Sequence, residues 1–425
     1  MTELPTGWVR CRLDEVCILR NGRAYSRDEL LVKGKYRVLR VGNFFTNKHW
    51  YYSDLELDDE KYCHPGDLLY AWSASFGPQI WDKERCIYHY HIWRVDIDVT
   101  KTCRDFMYYW FLWDKESIQH AEGTGTTMIH VTKGAMEARQ MTLPPLPHQR
   151  RIVAKLDALS ARLKRARAEL ERVEALAQRA RNAVLAAAFL PNNPPVLLAK
   201  VISEALIGLV RSKADQGSSG TPYVRMQHFD LDGNWNEEDL TSVSCSTDEL
   251  NRYALRVDDV LFNTRNSHEL VGKVAICPAE RSGYVYNNNL LRLRFRDDVL
   301  PVFAFRQMQS PFFRQQLAQQ KSATTSVAAI YQGSLMRSLF WLPSLPEQER
   351  VVGKVEAALA KIERSRQEAA RCLQMLPRLD QSILSRAFRG ELVPQDPEDE
   401  PASVLLDRIR AEASSQSPKR RRRTG

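Results

Sequence analysis

Leu143-Pro144-Pro145-Leu146-Pro147-His148-Gln149-Arg150-Arg151-Ile152-Val153 returns later in the chain as Leu342-Pro343-Ser344-Leu345-Pro346-Glu347-Gln348-Glu349-Arg350-Val351-Val352. The offset, from position 143 to position 342, is 199 residues. The same offset carries Val184-Leu185 onto Ile383-Leu384, Ala188-Phe189 onto Ala387-Phe388 and Gly134 onto Gly333. Thr126-Thr127 falls on Thr324-Thr325 at an offset one residue shorter. Self-similarity at one long period, kept in order along the chain, reads as two copies of one structural unit. Upstream the match is looser but in the same order. Tyr88 and Ile92-Trp93-Arg94-Val95 correspond to Tyr286 and Leu290-Leu291-Arg292-Leu293. Asp67-Leu68-Leu69-Tyr70 corresponds to Asp259-Val260-Leu261-Phe262, and Val38-Leu39-Arg40-Val41 to Tyr223-Val224-Arg225-Met226.

Each copy changes character at the quoted motif. Before it lie short β-branched and aromatic runs, such as residues 87–95 and 285–295, which are strand-like. Turns such as Pro65-Gly66-Asp67 and Asp232-Gly233-Asn234 break them. Residues 106–113 and 302–320 read as helices that cover a sheet. After the motif, apolar positions advance in alternating steps of three and four, the pattern of a coiled-coil seam. In the first copy the seam is Leu156, Leu159, Leu163, Ala166, Leu170, Val173, Ala177, Ala180 and Val184. In the second it is Val355, Ala358, Ile362, Ser365, Ala369, Cys372, Leu376, Leu379 and Ile383. Two matching stripes in one chain suggest that the helices pair with each other. Pro377 should kink or shorten the second.

The expected fold class is therefore α+β, two mixed α/β blocks joined by two long helices. The boundaries are a first block at 1–146, a helix at 147–190, a second block at 191–345, a helix at 346–393 and a closing segment at 394–425. That last segment holds a solvated acidic linker, Asp396-Pro397-Glu398-Asp399-Glu400-Pro401, a short helix near residues 402–413 and the basic tail Lys419-Arg420-Arg421-Arg422-Arg423.

The net charge of +9 is not spread evenly. Residues 150–181 carry 10 basic and 4 acidic groups, and residues 347–390 carry 9 and 6. The excess thus sits on the two helices, where it fits either phosphate contact or a solvated face. The 425 residues contain no apolar run near the roughly 18 needed to span a bilayer. Residues 1–8 lack the basic start and apolar block of a signal peptide. The eight cysteines form no C-x-x-C pair or zinc-ligand spacing. Reduced thiols in a cytoplasmic protein, with no membrane partner, are expected.

A catalytic kit is missing. The Gly-Lys pairs at Gly34, Gly272 and Gly353 are followed by Tyr or Val, so no phosphate-cradling G-x-x-x-x-G-K-[ST] loop is present. Asn193-Pro194-Pro195-Val196 imitates the Asn-Pro-Pro-aromatic motif of amino-methyltransferases, but Val196 replaces the aromatic that stacks on a flipped base. No Gly-rich turn precedes it, and the segment reads as a linker between copies. Asp59-Glu60-Lys61 has a nuclease-like spacing but lies in an acidic run without a counterpart in the second copy. His89 and His91 share one strand face and align with Asn287 and Asn289, so what the copies share there is polarity, not metal binding. No catalytic or metal-binding residue is assigned.

In these repeated motifs the chain resembles the specificity subunits of type I restriction–modification systems. The resemblance rests on the paired Leu-Pro-x-Leu-Pro-x-Gln segments ahead of coiled-coil helices. It extends to Ser385-Arg386-Ala387-Phe388-Arg389-Gly390-Glu391-Leu392-Val393 and Pro401-Ala402-Ser403-Val404-Leu405-Leu406 near the end. It implies that each block is a target-recognition domain reading one half of a bipartite sequence in double-stranded DNA. It implies that the helices form an antiparallel coiled coil that spaces the halves and docks two methyltransferase subunits, with restriction motor-nuclease subunits joining. This chain would bind no cofactor. S-adenosylmethionine, ATP and Mg would belong to the partner subunits. Non-identical copies imply an asymmetric target. A scaffold without nucleic acid and a DNA-modifying enzyme with a degenerate site are the competing classes.

Candidate DNA contacts come from loops that recur in both copies. They are Arg40 and Asn43, matched by Arg225, Gln227 and His228; Tyr70, Trp72, Ser73 and Ser75, matched by Asn263, Arg265, Asn266 and Ser267; and Thr126 and Thr127, matched by Thr324 and Thr325. Arg suits guanine, and Asn or Gln suits adenine, through paired hydrogen bonds in the major groove. Hydroxyls suit phosphate oxygens. Leu156, Leu159, Leu163, Leu170, Val173, Val355, Ile362, Leu376 and Leu379 are the expected coiled-coil contacts. The purified chain without partners should hydrolyse no ATP, cleave no DNA and transfer no methyl group. Labelled S-adenosylmethionine supplied with DNA checks this, and methyl transfer by the lone polypeptide would overturn the reading.

Overall fold

In the computed structural model, which describes residues 4–73, 76–121, 131–236, 238–323 and 327–416, both copies open with the same pair of small sheets. In the first copy one sheet runs Cys17–Asn21, Ile92–Ile97, Leu68–Ala71, Gly77–Ile80, with every neighbour antiparallel. In the second copy Ile202–Ile207, Leu290–Phe295, Val260–Asn263 and Val274–Ile276 take the same order. The companion sheets each contain one parallel pair, Tyr36–Leu39 with Cys86–Tyr88 and Thr221–Val224 with Val285–Tyr286. The repeat inferred from loose upstream matches is thus a repeat of topology.

Helices cover one face of each larger sheet. Arg104–Ala121 sets Phe106, Trp110 and Phe111 into a core with Tyr70, Trp93 and Val95. The second copy uses two helices, Pro301–Gln309 and Pro311–Gln320, where one was expected. The break has a local cause. Ser310 caps the later helix by accepting from Phe313 N at 3.3 Å, and Pro311 at its first position needs no donor partner.

The two long helices are Leu146–Ala188, the central helix, and Leu345–Phe388, the distal helix. With 43 residues at roughly 1.5 Å each, the central helix is about 65 Å long. Each is anchored by its motif glutamine. Gln149 is fully buried. Its carboxamide oxygen accepts from Thr102 Oγ1 at 2.9 Å and Cys103 N at 3.2 Å. Its nitrogen donates to Lys101 O at 3.0 Å and Pro144 O at 2.9 Å. Gln348 repeats the arrangement, accepting from Leu300 N at 2.8 Å and donating to Asp298 O and Pro343 O, both at 2.9 Å.

The chain divides into two units, residues 1–169 with 372–425, and residues 170–371. Each contains one block and part of each long helix. In the first unit, Ile152 and Leu156 from the start of the central helix share a core with Leu384, Ala387 and Phe388 from the end of the distal one. In the second unit, Leu185 and Phe189 from the end of the central helix share a core with Val351, Val355 and Leu359 from the start of the distal one. Start packs against end in both units, so the helices pair antiparallel.

The seam needs correction in detail. Leu159, Leu163, Leu170, Val173, Ile362 and Leu376 are half-buried, and Leu156 and Val355 are buried. Leu379, expected inside, is 49% exposed, and Ala166, Ala180 and Ser365 also face outward. The cause is the difference between a 3.5- and a 3.6-residue repeat, a drift of about 20° per heptad. Steps of 3.6 from Ala369 fall at 373, 376, 380, 383 and 387. Leu379 is therefore rotated off the seam and Asp380 brought towards it. In the same way Arg366 replaces Ser365 and pairs with Glu174 at 2.9 Å. Pro377 lies on the exposed side and does not end the helix, which continues to Phe388.

Two further expectations change. Asp399 is not merely solvated: it pairs with Arg151 at 2.5 Å, its side chain largely covered. The short helix after it, Ala402–Gln416, sets Leu406 into the first unit's core, and Ala402 N donates to Gly7 O at 2.9 Å. The Asn-Pro-Pro segment is structural. Asn193 binds Trp341 Nε1, and Val196 pairs with Phe340 in a two-stranded sheet. The basic tail at 419–423 lies outside the described residues.

Replacing Gln149 with Leu keeps the volume but strands the groups it binds, so the first unit should lose about 2–4 kcal/mol. Gln348→Leu should do the same to the second. Urea denaturation followed by tryptophan fluorescence measures it, and a loss below about 0.5 kcal/mol would show that the clamp is dispensable.

Candidate nucleic-acid interface

Between the two sheets of each block the chain crosses over on three residues, His89-Tyr90-His91 in the first and Asn287-Asn288-Asn289 in the second. Three backbone bonds of this crest recur in both. His89 N donates to Leu39 O at 2.8 Å, and Asn287 N to Val224 O at 2.9 Å. Ile92 N returns to His89 O at 2.9 Å, as Leu290 N does to Asn287 O at 3.0 Å. Trp72 N donates to His91 O at 3.1 Å, and Thr264 N to Asn289 O at 2.8 Å. A glycine lies against each crest. A Cβ on Gly22 would come within 2.3 Å of Tyr88 O, and one on Gly208 within 2.3 Å of Tyr286 O. Only glycine permits that approach.

Side chains on this frame differ. In the first block Trp72 stacks on Trp93 with centroids 5.6 Å apart and donates from Nε1 to Tyr90 O at 2.9 Å. Tyr90 is 40% exposed, its ring 4.4 Å from His89 and 4.0 Å from His91. Beside the crest lies a cavity of about 310 Å³, lined by Arg40, Lys48, His49, Tyr51, His89 and His91. Burial, then the neighbouring His91 and Arg40, push the His89 imidazole down to about 4. Its ring is therefore neutral at pH 7 and offers one donor and one acceptor. In the second block Asn288 and Asn289 are half-buried, and Asn287 is buried with no hydrogen bond to its Oδ1.

Comparison with known proteins supplies the context. Residues 5–175 match the family described as the type I restriction modification DNA specificity domain. The chain is 24% identical to the EcoKI specificity subunit of Escherichia coli K12, covering 98% of both chains. It is 25% identical to the EcoBI specificity subunit of Escherichia coli, covering 99% of this chain and 95% of the other. The fold matches the HsdS subunit of Thermoanaerobacter tengcongensis with a TM-score of 0.62 at 20% identity, over 92% of this chain and 99% of that one. A chain from a type I restriction–modification assembly matches with a TM-score of 0.68 at 22% identity, over 92% of this chain and all of the other. Over nearly its whole length the chain is similar to HsdS-type specificity subunits and shares their fold.

Within this chain the candidate contacts divide by burial. Arg40 is half-buried with its guanidinium 5.4 Å from the Tyr51 ring centre, inside the cavity. Trp72 and Asn266 are half-buried, and Gln227 and Arg265 are exposed. Arg225 is half-buried and donates to Asp239 O at 2.7 Å. Five others lie inside. Asn43 accepts from Arg40 N at 2.8 Å and donates to Val38 O at 3.1 Å. His228 does the equivalent job, its Nδ1 accepting from Arg225 N at 3.0 Å, and burial pushes its ring down to about 4. Asn263 donates to Arg265 O and Asn289 O, and accepts from Asn266 Nδ2 at 2.9 Å. Tyr70 is fully buried among Phe76, Trp93 and Phe111, and Ser73 is buried. Ser75, Thr126, Thr127, Thr324 and Thr325 lie outside the described residues.

The sequence reading passed over the crest itself. Its signal was present in the alignment of His89 and His91 with Asn287 and Asn289, polar residues at a strand junction. Among the described residues no group of His, Cys, Asp and Glu side chains could hold a metal, and no helix is long and apolar enough to cross a membrane.

Gly22→Ala or Gly208→Ala should cost about 3 kcal/mol, because the new methyl meets backbone carbonyls that cannot move aside independently. Gly42→Ala, with nothing within 4 Å, is the control. Thermal melting compares them, and a Gly22→Ala protein as stable as the control would refute the frame.

Proposed function

We propose that this chain is the DNA-reading subunit of a type I restriction–modification complex. Each block reads one half of an asymmetric bipartite target in double-stranded DNA. The paired helices set the gap between the halves and dock two methyltransferase subunits, with restriction motor-nuclease subunits joining the assembly. The chain is a non-catalytic component. S-adenosylmethionine, ATP and Mg act in the partner subunits, and the complex works in the cytoplasm. The observation that carries this reading is a pair of blocks with one backbone frame, different polar side chains, and helices that run antiparallel. Two similar but non-identical heads on a stiff element are what recognition of two different half-sites requires.

The reading also follows from scale. A helix of about 65 Å exceeds one duplex turn of roughly 35 Å, so it is long enough to serve heads on successive turns. One heptad added to both helices lengthens each by about 10.5 Å, or about three base pairs at 3.4 Å. Whole heptads keep the seam in register. Methylation of DNA libraries with graded spacers by the assembled complex should shift towards a gap about three base pairs longer, with both half-site sequences kept. An unchanged preferred gap in a folded, methylating complex would show that the helices are not the ruler.

A further inference from the structure

We infer that the two crests are specificity-determining elements: His89-Tyr90-His91 sets part of the base preference of the first half-site, and Asn287-Asn288-Asn289 part of that of the second. This rests on the DNA-reading function proposed above and names the residues that would do the reading.

Three backbone contacts fix the crest at the same points in both blocks, one from a flanking strand, one closing the crest's own turn and one from the loop of Trp72 or Thr264. Gly22 and Gly208 close the underside of the frame with no side chain. The frame therefore does not depend on crest side chains. At all three positions the residue type nevertheless changes between the copies. A rigid frame whose side chains differ completely is suited to discrimination, because a hydrogen bond distinguishes bases only if its donor and acceptor are held in place.

The chemistry of each triplet suits base edges. Asn288 and Asn289 each carry a carboxamide donor and acceptor side by side, the pairing that matches N6 and N7 of adenine. In the first block the neutral His89 ring, the exposed Tyr90 and the Arg40 guanidinium meet around one cavity or its rim. Arginine is the usual partner of guanine O6 and N7. The two crests therefore present different donor–acceptor patterns from one scaffold position. By contrast, Asn43 and Asn263 commit their polar atoms, and His228 its Nδ1, to holding loop backbone or a neighbouring side chain.

The test uses the chain assembled with its methyltransferase subunits and a DNA library randomised in both half-sites, read by sequencing of methylated products. The His89→Asn, Tyr90→Asn, His91→Asn triple variant should change base preference at one or more positions of one half-site by about 5- to 150-fold, the range expected for losing or gaining a bidentate base contact. The other half-site and the gap should be untouched. Asn288→Tyr with Asn289→His should alter only the opposite half-site. Methylation by these variants with wild-type preferences in both half-sites would overturn the inference. If the triple variant does not assemble, Tyr90→Ala and Asn288→Ala decide the matter, since neither removes a backbone bond of the frame. A wild-type complex with no half-site preference would instead overturn the DNA-reading function itself, and the inference with it.

Discussion

Everything in this fold hangs from a buried carboxamide. A helix of 43 residues that is charged along most of its length has little reason to leave a block in one fixed direction. Gln149 and Gln348 provide that reason. Each uses both its oxygen and its nitrogen on backbone at the entry to the covering helix, and each binds the proline carbonyl that precedes its own helix. A fully satisfied amide in a dry site is rigid, and it is costly to break because every partner would be left unpaired. This also explains why the preceding residue is free to differ. His148 packs edge-on against Trp8 at 5.7 Å, whereas Glu347 pairs with Arg350 at the surface.

The architecture was legible because it is written in periodicity. The 199-residue offset showed two copies, and the three–four spacing showed two helices that pair. What spacing does not convey is the direction of an individual side chain. Arg40-x-x-Asn43 and Arg225-x-x-His228 look like surface loops rich in base-reading groups, yet Asn43 and His228 turn inward to cap the turn they begin. Leu379 looked like a seam residue because the pattern was counted in heptads, and the slower rotation of a real helix moved it outward. The crests were visible only as polarity, since the frame that makes them notable is built by contacts from Gly22, Leu39 and Trp72, all distant in sequence.

Charge on the helices takes on a more specific meaning in three dimensions. Part of the basic excess on the central helix is neutralised within the protein. Arg151 pairs with Asp399, and Arg181 with Asp232 at 2.8 Å. The Arg366–Glu174 pair is partly exposed, and such a pair contributes little to stability. Its value lies in alignment. Sliding one helix by a turn would take the cross-helix carboxylate from a half-buried arginine and leave it only Glu363 of its own helix, a bias towards one register.

The two units also differ in how the ribosome delivers them. Residues 170–371 are continuous, so that unit has all of its chain once its own last helix turns have emerged. The other unit is made from two separate segments, residues 1–169 and 372–425. The block translated first has to wait for Leu384, Ala387, Phe388 and Leu406 before its core around Ile152 and Leu156 can close. Because closing so long a loop costs entropy before any contact repays it, residues 1–169 finish folding only after residues 170–371 have been made. Synthesis interrupted between residues 371 and 384 would thus yield a finished unit at 170–371 tethered to an open one, so Leu384, Ala387, Phe388 and Leu406 act as a check that translation has passed them.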